Sequence, residues 1–163
     1  MVLTLVGELL RIWAVQHIGV ISRTRSDRLG PLVESGPFNL CRNPLYIGNI
    51  AIWVGFALTA GLVWMAGLVF LLLAAEYHAI VRWEEALIES RHGPAYRDYL
   101  SSVPRWLPAF NRRARRERGK QPGSASSATS AVPFNWRETL FSERGTLIAI
   151  AIGFVLLSLK ASL

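Results

Sequence analysis

The sequence predicts an all-α, polytopic membrane protein with about four membrane-embedded helices, two of them forming a tight helical hairpin. Three observations carry this. Apolar residues make up 52% of the chain and mean hydropathy is +0.31. No charged residue occurs from Asn43 to Ala75, and the net charge of +7 sits in polar segments on either side of that stretch. Such a composition belongs to a chain that meets lipid, and an excess of Lys and Arg then has a place at the membrane surface.

The 163 residues amount to about one domain, so any active site is built from the helices that make the core, with no room for a separate Rossmann domain. Cys41 is the only cysteine, which excludes an intrachain disulfide and zinc held by a cysteine cluster. Met1 to Leu10 carries Glu8 and lacks a basic leading region and a cleavage site, so no removable signal peptide is expected.

Met1 to Ile21 is apolar except for Glu8, Arg11, Gln16 and His17. A charge facing lipid near the bilayer centre is costly, so this helix is expected to turn its polar set toward protein or water. Ser22 to Arg42, broken by Pro31, Gly36 and Pro37, reads as a loop. A straight helix over Asn43 to Ala75 would run about 50 Å, against a hydrocarbon core of about 30 Å. Thr59-Ala60-Gly61 offers a turn, so a hairpin is predicted over residues 45–83, with arms from about Leu45 to Ala60 and from Leu62 to about Trp83. Residues 84–110 read as a cytoplasmic cap, limited by Pro94, Pro104 and Pro108 and completing a core of residues 1–110.

Residues 111–133 form a linker, basic from Arg112 to Lys120 and then rich in Ser, Ala and Gly, and residues 134–163 supply a C-terminal membrane helix. Its apolar run, Gly145 to Leu159, is short for a span and is bracketed by Arg144 and Lys160, which can snorkel. With Ser22 to Arg42 and Arg82 to Arg144 on the cytoplasmic side, every Lys and Arg except Arg11 and Lys160 lies there. The positive-inside rule gives that orientation, with both termini on the far side. The basic run lies between membrane elements, which assigns it to anionic lipid rather than nucleic acid.

Two clusters flank the hairpin, and its fold-back brings them together. Before it stand Arg42, Asn43, Pro44, Tyr46 and Gly48; after it stand Glu84 and Glu85. Asn43-Pro44 is a helix-start signature, with Asn as the cap and Pro at the first helical position. Free N–H groups there suit an anionic group. Glu84 and Glu85 point about 100° apart on a helix, so one can face a bound cation while the other pairs with Arg82 or another basic residue. Each cluster alone also fits an ordinary helix end in headgroup water. His17, His78 and His92 show no metal-ligand spacing.

Taken in order, Arg-Asn-Pro-Leu-Tyr-Ile-Gly, the Glu-Glu pair and the following run to Val-Pro-Arg-Trp-Leu-Pro resemble the isoprenylcysteine carboxyl methyltransferase and phospholipid methyltransferase superfamily, over roughly Gly36 to Pro108. The resemblance implies a cytoplasmic-face site for S-adenosyl-L-methionine, with Arg42, Asn43, Pro44, Tyr46, Gly48, Glu84 and Glu85 as cofactor-binding candidates. Asn43 stands where that family usually has His, so a polar contact is kept there and an acid–base role is not. The Arg-Asn-Pro-Leu-Tyr form resembles bacterial members, which implies the inner membrane.

Methyl transfer from a sulfonium asks mainly for positioning and exclusion of water. A carboxylate acceptor, ionised near neutral pH, needs a cation to hold it, and Arg105 is the catalytic candidate for that task. The expected partners are a lipid or lipidated acceptor and the membrane. Isoprenylcysteine O-methylation and phospholipid N-methylation both fit; an NADPH-dependent membrane reductase and a non-catalytic membrane scaffold are the alternatives. The start inside an apolar segment suggests that helices preceding it in the family are absent, a gap that oligomerisation can fill.

Overall fold

The computed structural model describes residues 1–18, 32–107 and 136–162, and the regular elements within them are all helical. The linker at 111–133, its basic front end and the first part of the loop from Ser22 lie outside the described residues. In chain order the helices are α1 (Val2–Ile18), α2 (Pro44–Thr59), α3 (Val63–His92), α4 (Pro94–Ser102) and α5 (Trp136–Ser162), with a 3-10 turn at Gly36–Asn39 before α2.

Pro44 opens α2, where its ring needs no N–H partner and its fixed φ suits the first turn. Asn43 occupies the cap position, but its side chain makes no capping bond. Its amide nitrogen instead donates to the Arg105 carbonyl oxygen at 3.1 Å, so local capping has given way to a long-range tie. The hairpin turn forms where expected. Gly61 sits at φ +78°, the Leu62 N–H donates to the Ala57 carbonyl and the Gly61 N–H to the Leu58 carbonyl. These are the two bonds of a Schellman ending, and the left-handed position selects glycine.

The second arm is longer than the sequence suggested. Rather than ending near Trp83, α3 runs unbroken through Glu84 and Glu85 to His92 and stops only at Gly93, φ +52°, followed by Pro94. No Gly or Pro interrupts it after Gly67, so nothing breaks the backbone ladder where the chain turns polar. At 30 residues it is about 45 Å long, and its last turns project beyond a hydrocarbon core of about 30 Å. The C-terminal helix is likewise longer than its apolar run, beginning at Trp136.

Helices α1 and α2 meet closely because small residues face each other. A Cβ on Gly48 would lie 2.8 Å from the Gly7 carbonyl oxygen and 2.6 Å from Arg11 Cγ, and one on Gly55 would lie 2.4 Å from Thr4 Oγ1. The polar set of α1 does turn inward: Glu8 and Arg11 are buried, and Arg11 reaches Glu143 of α5 at 2.7 Å. Further along, Phe56 of α2 packs on Phe154 of α5, ring centres 5.2 Å apart. Helix α3 behaves differently, exposing Trp64, Leu68, Leu71 and Leu72. A continuous apolar face of that kind is covered by lipid or by another protein surface rather than by water. The chain is a membrane protein, and α3 and the Trp136–Lys160 part of α5 are each long and apolar enough to cross.

Candidate functional site

The loop before α2 and the loop after α4 are stitched together at the base of the hairpin. The Arg42 N–H donates to the Pro104 carbonyl at 2.9 Å, Asn43 holds the Arg105 carbonyl, and the Tyr99 hydroxyl donates to the Phe38 carbonyl at 2.7 Å. Tyr96, Tyr99 and Val103 form the small core beneath this junction, with Leu32, Ile88 and Leu100 packed against it. Two segments some sixty residues apart thereby present their arginines to the projecting end of α3.

The two carboxylates of α3 diverge as helical geometry requires. Glu85 receives Arg42 Nη1 at 2.9 Å and a two-pronged contact from Arg105, Nε at 3.1 Å and Nη2 at 2.6 Å. Its arginine partners therefore come from the two loops rather than from Arg82, its neighbour on the helix. Such a forked guanidinium–carboxylate pair is among the stronger polar contacts in proteins. The bond to Glu85 is also what raises the Arg105 pKa. Glu84 faces the other way, toward α2, and accepts from the Tyr46 hydroxyl at 2.9 Å. One carboxylate is thus neutralised by two cations, while its neighbour is held by an uncharged hydroxyl.

Tyr96, buried in α4, closes the cluster beside Arg42 and Glu85. Its pKa is pushed up to about 12, first by burial and then by the nearby Glu85, against the opposing pull of Arg42 and Arg105. It remains a neutral phenol throughout the physiological range.

Of the residues singled out in the sequence, the structure gathers Arg42, Asn43, Tyr46, Glu84, Glu85 and Arg105 at this one end. Pro44 is buried at the start of α2. Gly48 is buried too, one turn deeper, at the crossing with α1, where its missing side chain makes room for Arg11. The fork of Arg105, assigned to an acceptor carboxylate, is engaged by Glu85. Sequence reasoning did not single out Asn49, Tyr77 or Trp106. Trp106 stacks on His78, ring centres 6.4 Å apart. Asn49 was readable as the one amide side chain inside an otherwise apolar helix arm.

An apolar cavity of about 910 Å³ opens beside the cluster, between α1, α2, α3 and the loop after α4. Leu10, Ile47, Val54 and Phe70 line its length, and Cys41 and Trp106, the chain neighbours of Arg42 and Arg105, line its end. Burial pushes the Cys41 thiol pKa up, so this cysteine behaves as a small apolar wall residue. Among the described residues, no three His, Cys, Asp or Glu side chains come together as a metal site.

The sequence matches the phospholipid methyltransferase family over residues 1–95. It is similar to the nickel-cobalt-cadmium resistance protein NccN of Alcaligenes xylosoxydans xylosoxydans, 32% identical over 62% of this chain and 44% of that protein. It is also similar to the cobalt-zinc-cadmium resistance protein CzcN of Cupriavidus metallidurans, 28% identical over the same shares. The chain spans less than half the length of these curated relatives. No solved structure matches it significantly. With more than half its length covered by one family and that stretch holding both flanking clusters of the hairpin, the chain belongs to the phospholipid methyltransferase family.

Proposed function

We propose that the protein transfers a methyl group from S-adenosyl-L-methionine to an amphiphilic, membrane-borne acceptor. One observation carries the reading most: a compact set of charged and hydroxyl side chains lies next to the end of an apolar cavity large enough for a lipid chain, whose lining residues Cys41 and Trp106 are the chain neighbours of Arg42 and Arg105. The donor set suits the cofactor. Glu84, held by a neutral hydroxyl, is placed to hold a cationic or hydroxylated portion, and the buried Arg42 Nε has no acceptor among the described residues and suits an anionic one. When bound, the cofactor supplies a methyl group activated by a sulfonium.

The chain's own contribution is positional. Asn43 and the Arg42–Glu85–Arg105 contacts hold the two loops rigid against α3, and the cavity walls orient the acceptor's tail and exclude competing water. Arg105 stands beside Trp106 at the cavity's end. Exchange of its Glu85 contact for an acceptor carboxylate would fit O-methylation, while N-methylation of a phospholipid amine is the second acceptor chemistry the same site accommodates.

In this reading α1, α2, α3 and α5 are all membrane-embedded, and the Arg42–Glu85 end faces the cytoplasm at a bacterial inner membrane. Self-association is compatible with the exposed face of α3. Calorimetric titration of the purified chain in lipid nanodiscs with S-adenosyl-L-methionine, S-adenosylhomocysteine and NADPH tests the assignment. Binding of the two sulfur nucleotides is expected. Folded protein with no affinity for either would overturn it, and binding of NADPH alone would point to reductase chemistry.

A further inference from the structure

A chain of polar side chains links the candidate site to the interior of the bundle. It begins at Glu84, which accepts from the Tyr46 hydroxyl at 2.9 Å. The Tyr46 ring packs on Tyr77, centres 4.7 Å apart, and the Asn49 amide lies beside the Tyr77 side chain. Asn49 Oδ1 accepts from Arg11 Nη1, and Arg11 Nη2 donates to Glu143 of α5 at 2.7 Å, with Thr146 Oγ1 at 3.4 Å. Four helices contribute to this path. Its inner end is shielded, with Arg11 8% exposed and Glu143 fully buried.

Stability does not account for such an arrangement. A buried ion pair is about as stabilising as well-packed apolar side chains of the same size, and ionisable groups at membrane depth are retained where they serve a purpose. The packing also shows that room is made for it, because Gly48 leaves the space that Arg11 Cγ occupies. An asparagine amide offers an acceptor on one side and donors on the other, so Asn49 can accept from Arg11 while donating to Tyr77. A contact of that kind would hold Tyr77, the wall against which Tyr46 lies.

We propose that Arg11, Asn49 and Tyr77 are positioning residues for the cofactor site: held by Glu143, they fix the orientation of Tyr46 and through it the Glu84 carboxylate. The proposal rests on the methyltransferase reading and adds residues outside its motif. It also makes the C-terminal helix a determinant of cofactor affinity, although α5 contributes no side chain to the cluster around Glu84 and Glu85.

The test uses the full chain in nanodiscs, with S-adenosylhomocysteine affinity and thermal unfolding measured for each variant. Asn49→Leu is expected to weaken binding about fivefold or more and, because it leaves the Arg11 Nη1 donor without its acceptor, to lower the unfolding temperature, whereas Tyr77→Phe, which keeps the ring, weakens binding about threefold with little change in unfolding temperature. In a Tyr46→Phe background, where the hydroxyl to Glu84 is gone, both substitutions should lose most of their effect. If Asn49→Leu does not fold, Tyr77→Phe carries the test alone. Wild-type protein without affinity for S-adenosylhomocysteine would sink the methyltransferase reading itself. Wild-type affinity in both variants, or equal losses with and without the Tyr46 hydroxyl, would overturn the positioning role while leaving that reading intact.

Discussion

Glu84, Glu85 and Glu89 lie on one helix, yet their surroundings differ in kind. Glu85 is enclosed by two guanidinium groups and Glu84 is held by a phenol, whereas Glu89 meets Arg97 only at 3.6 Å on an open surface. Exposed pairs of the last sort contribute little. Glu84→Gln should therefore weaken binding of S-adenosyl-L-methionine by about tenfold or more, while Glu89→Gln leaves it within about twofold, as read by titration calorimetry. Equal effects at both positions would mean that the hairpin base is no more than a solvated helix end. Glu85→Gln is a different experiment, because it leaves Arg42 and Arg105 facing each other without their shared anion. Its effect should appear in unfolding temperature as well as in affinity.

At the level of elements, α1 and α2 form the closest helix pair, and glycine decides how near they come. Adding a methyl group at Gly48 forces the Gly7 backbone and the Arg11 stem apart. Overpacking of this kind costs about 1–3 kcal/mol, so Gly48→Ala should lower the unfolding temperature in nanodiscs and loosen the path through Arg11. Gly67 of α3 provides the comparison, since a Cβ there meets nothing within 4 Å. Alanine is the better helix former, so Gly67→Ala should be neutral or mildly stabilising in the same assay. The turn between α2 and α3 was readable because Gly61 supplies a left-handed ending. The continuation of α3 past Trp83 was not, because polarity changes there while helix propensity does not.

Across the whole molecule, the Arg11–Glu143 pair joins the first helix to the last. Arg11 is also 3.6 Å from the buried Glu8, so removing Arg11 alone leaves two buried carboxylates without their shared cation, at a cost of about 3–5 kcal/mol, whereas removing Glu143 as well leaves one. Arg11→Leu combined with Glu143→Leu should thus unfold at a higher temperature than Arg11→Leu alone. An additive double variant would show that the pair is not coupled. Orientation is checked by moving the lone thiol. With Cys41 replaced by Ser and a cysteine placed at Val63, which is 70% exposed at the hairpin tip, labelling of intact cells by a membrane-impermeant maleimide is expected. Labelling only after the cytoplasmic side is opened would invert the topology.

Some of this was settled by the chain's order alone. A stretch from Asn43 to Ala75 without a charge must leave water, and being longer than a hydrocarbon core it must fold back, which places Asn43-Pro44-Leu45-Tyr46 beside Glu84-Glu85. The inward turn of Glu8 and Arg11 followed from the cost of facing charge to lipid. What tertiary structure decided is pairing: that Glu85 takes Arg42 and Arg105, that Glu84 takes Tyr46, that Gly48 serves a helix crossing, and that Arg11 finds Glu143. Burial and solvation act on each residue's own composition and can be read locally. Ion pairs and close approaches depend on how separate helices rotate and slide against one another, which no short stretch of sequence encodes.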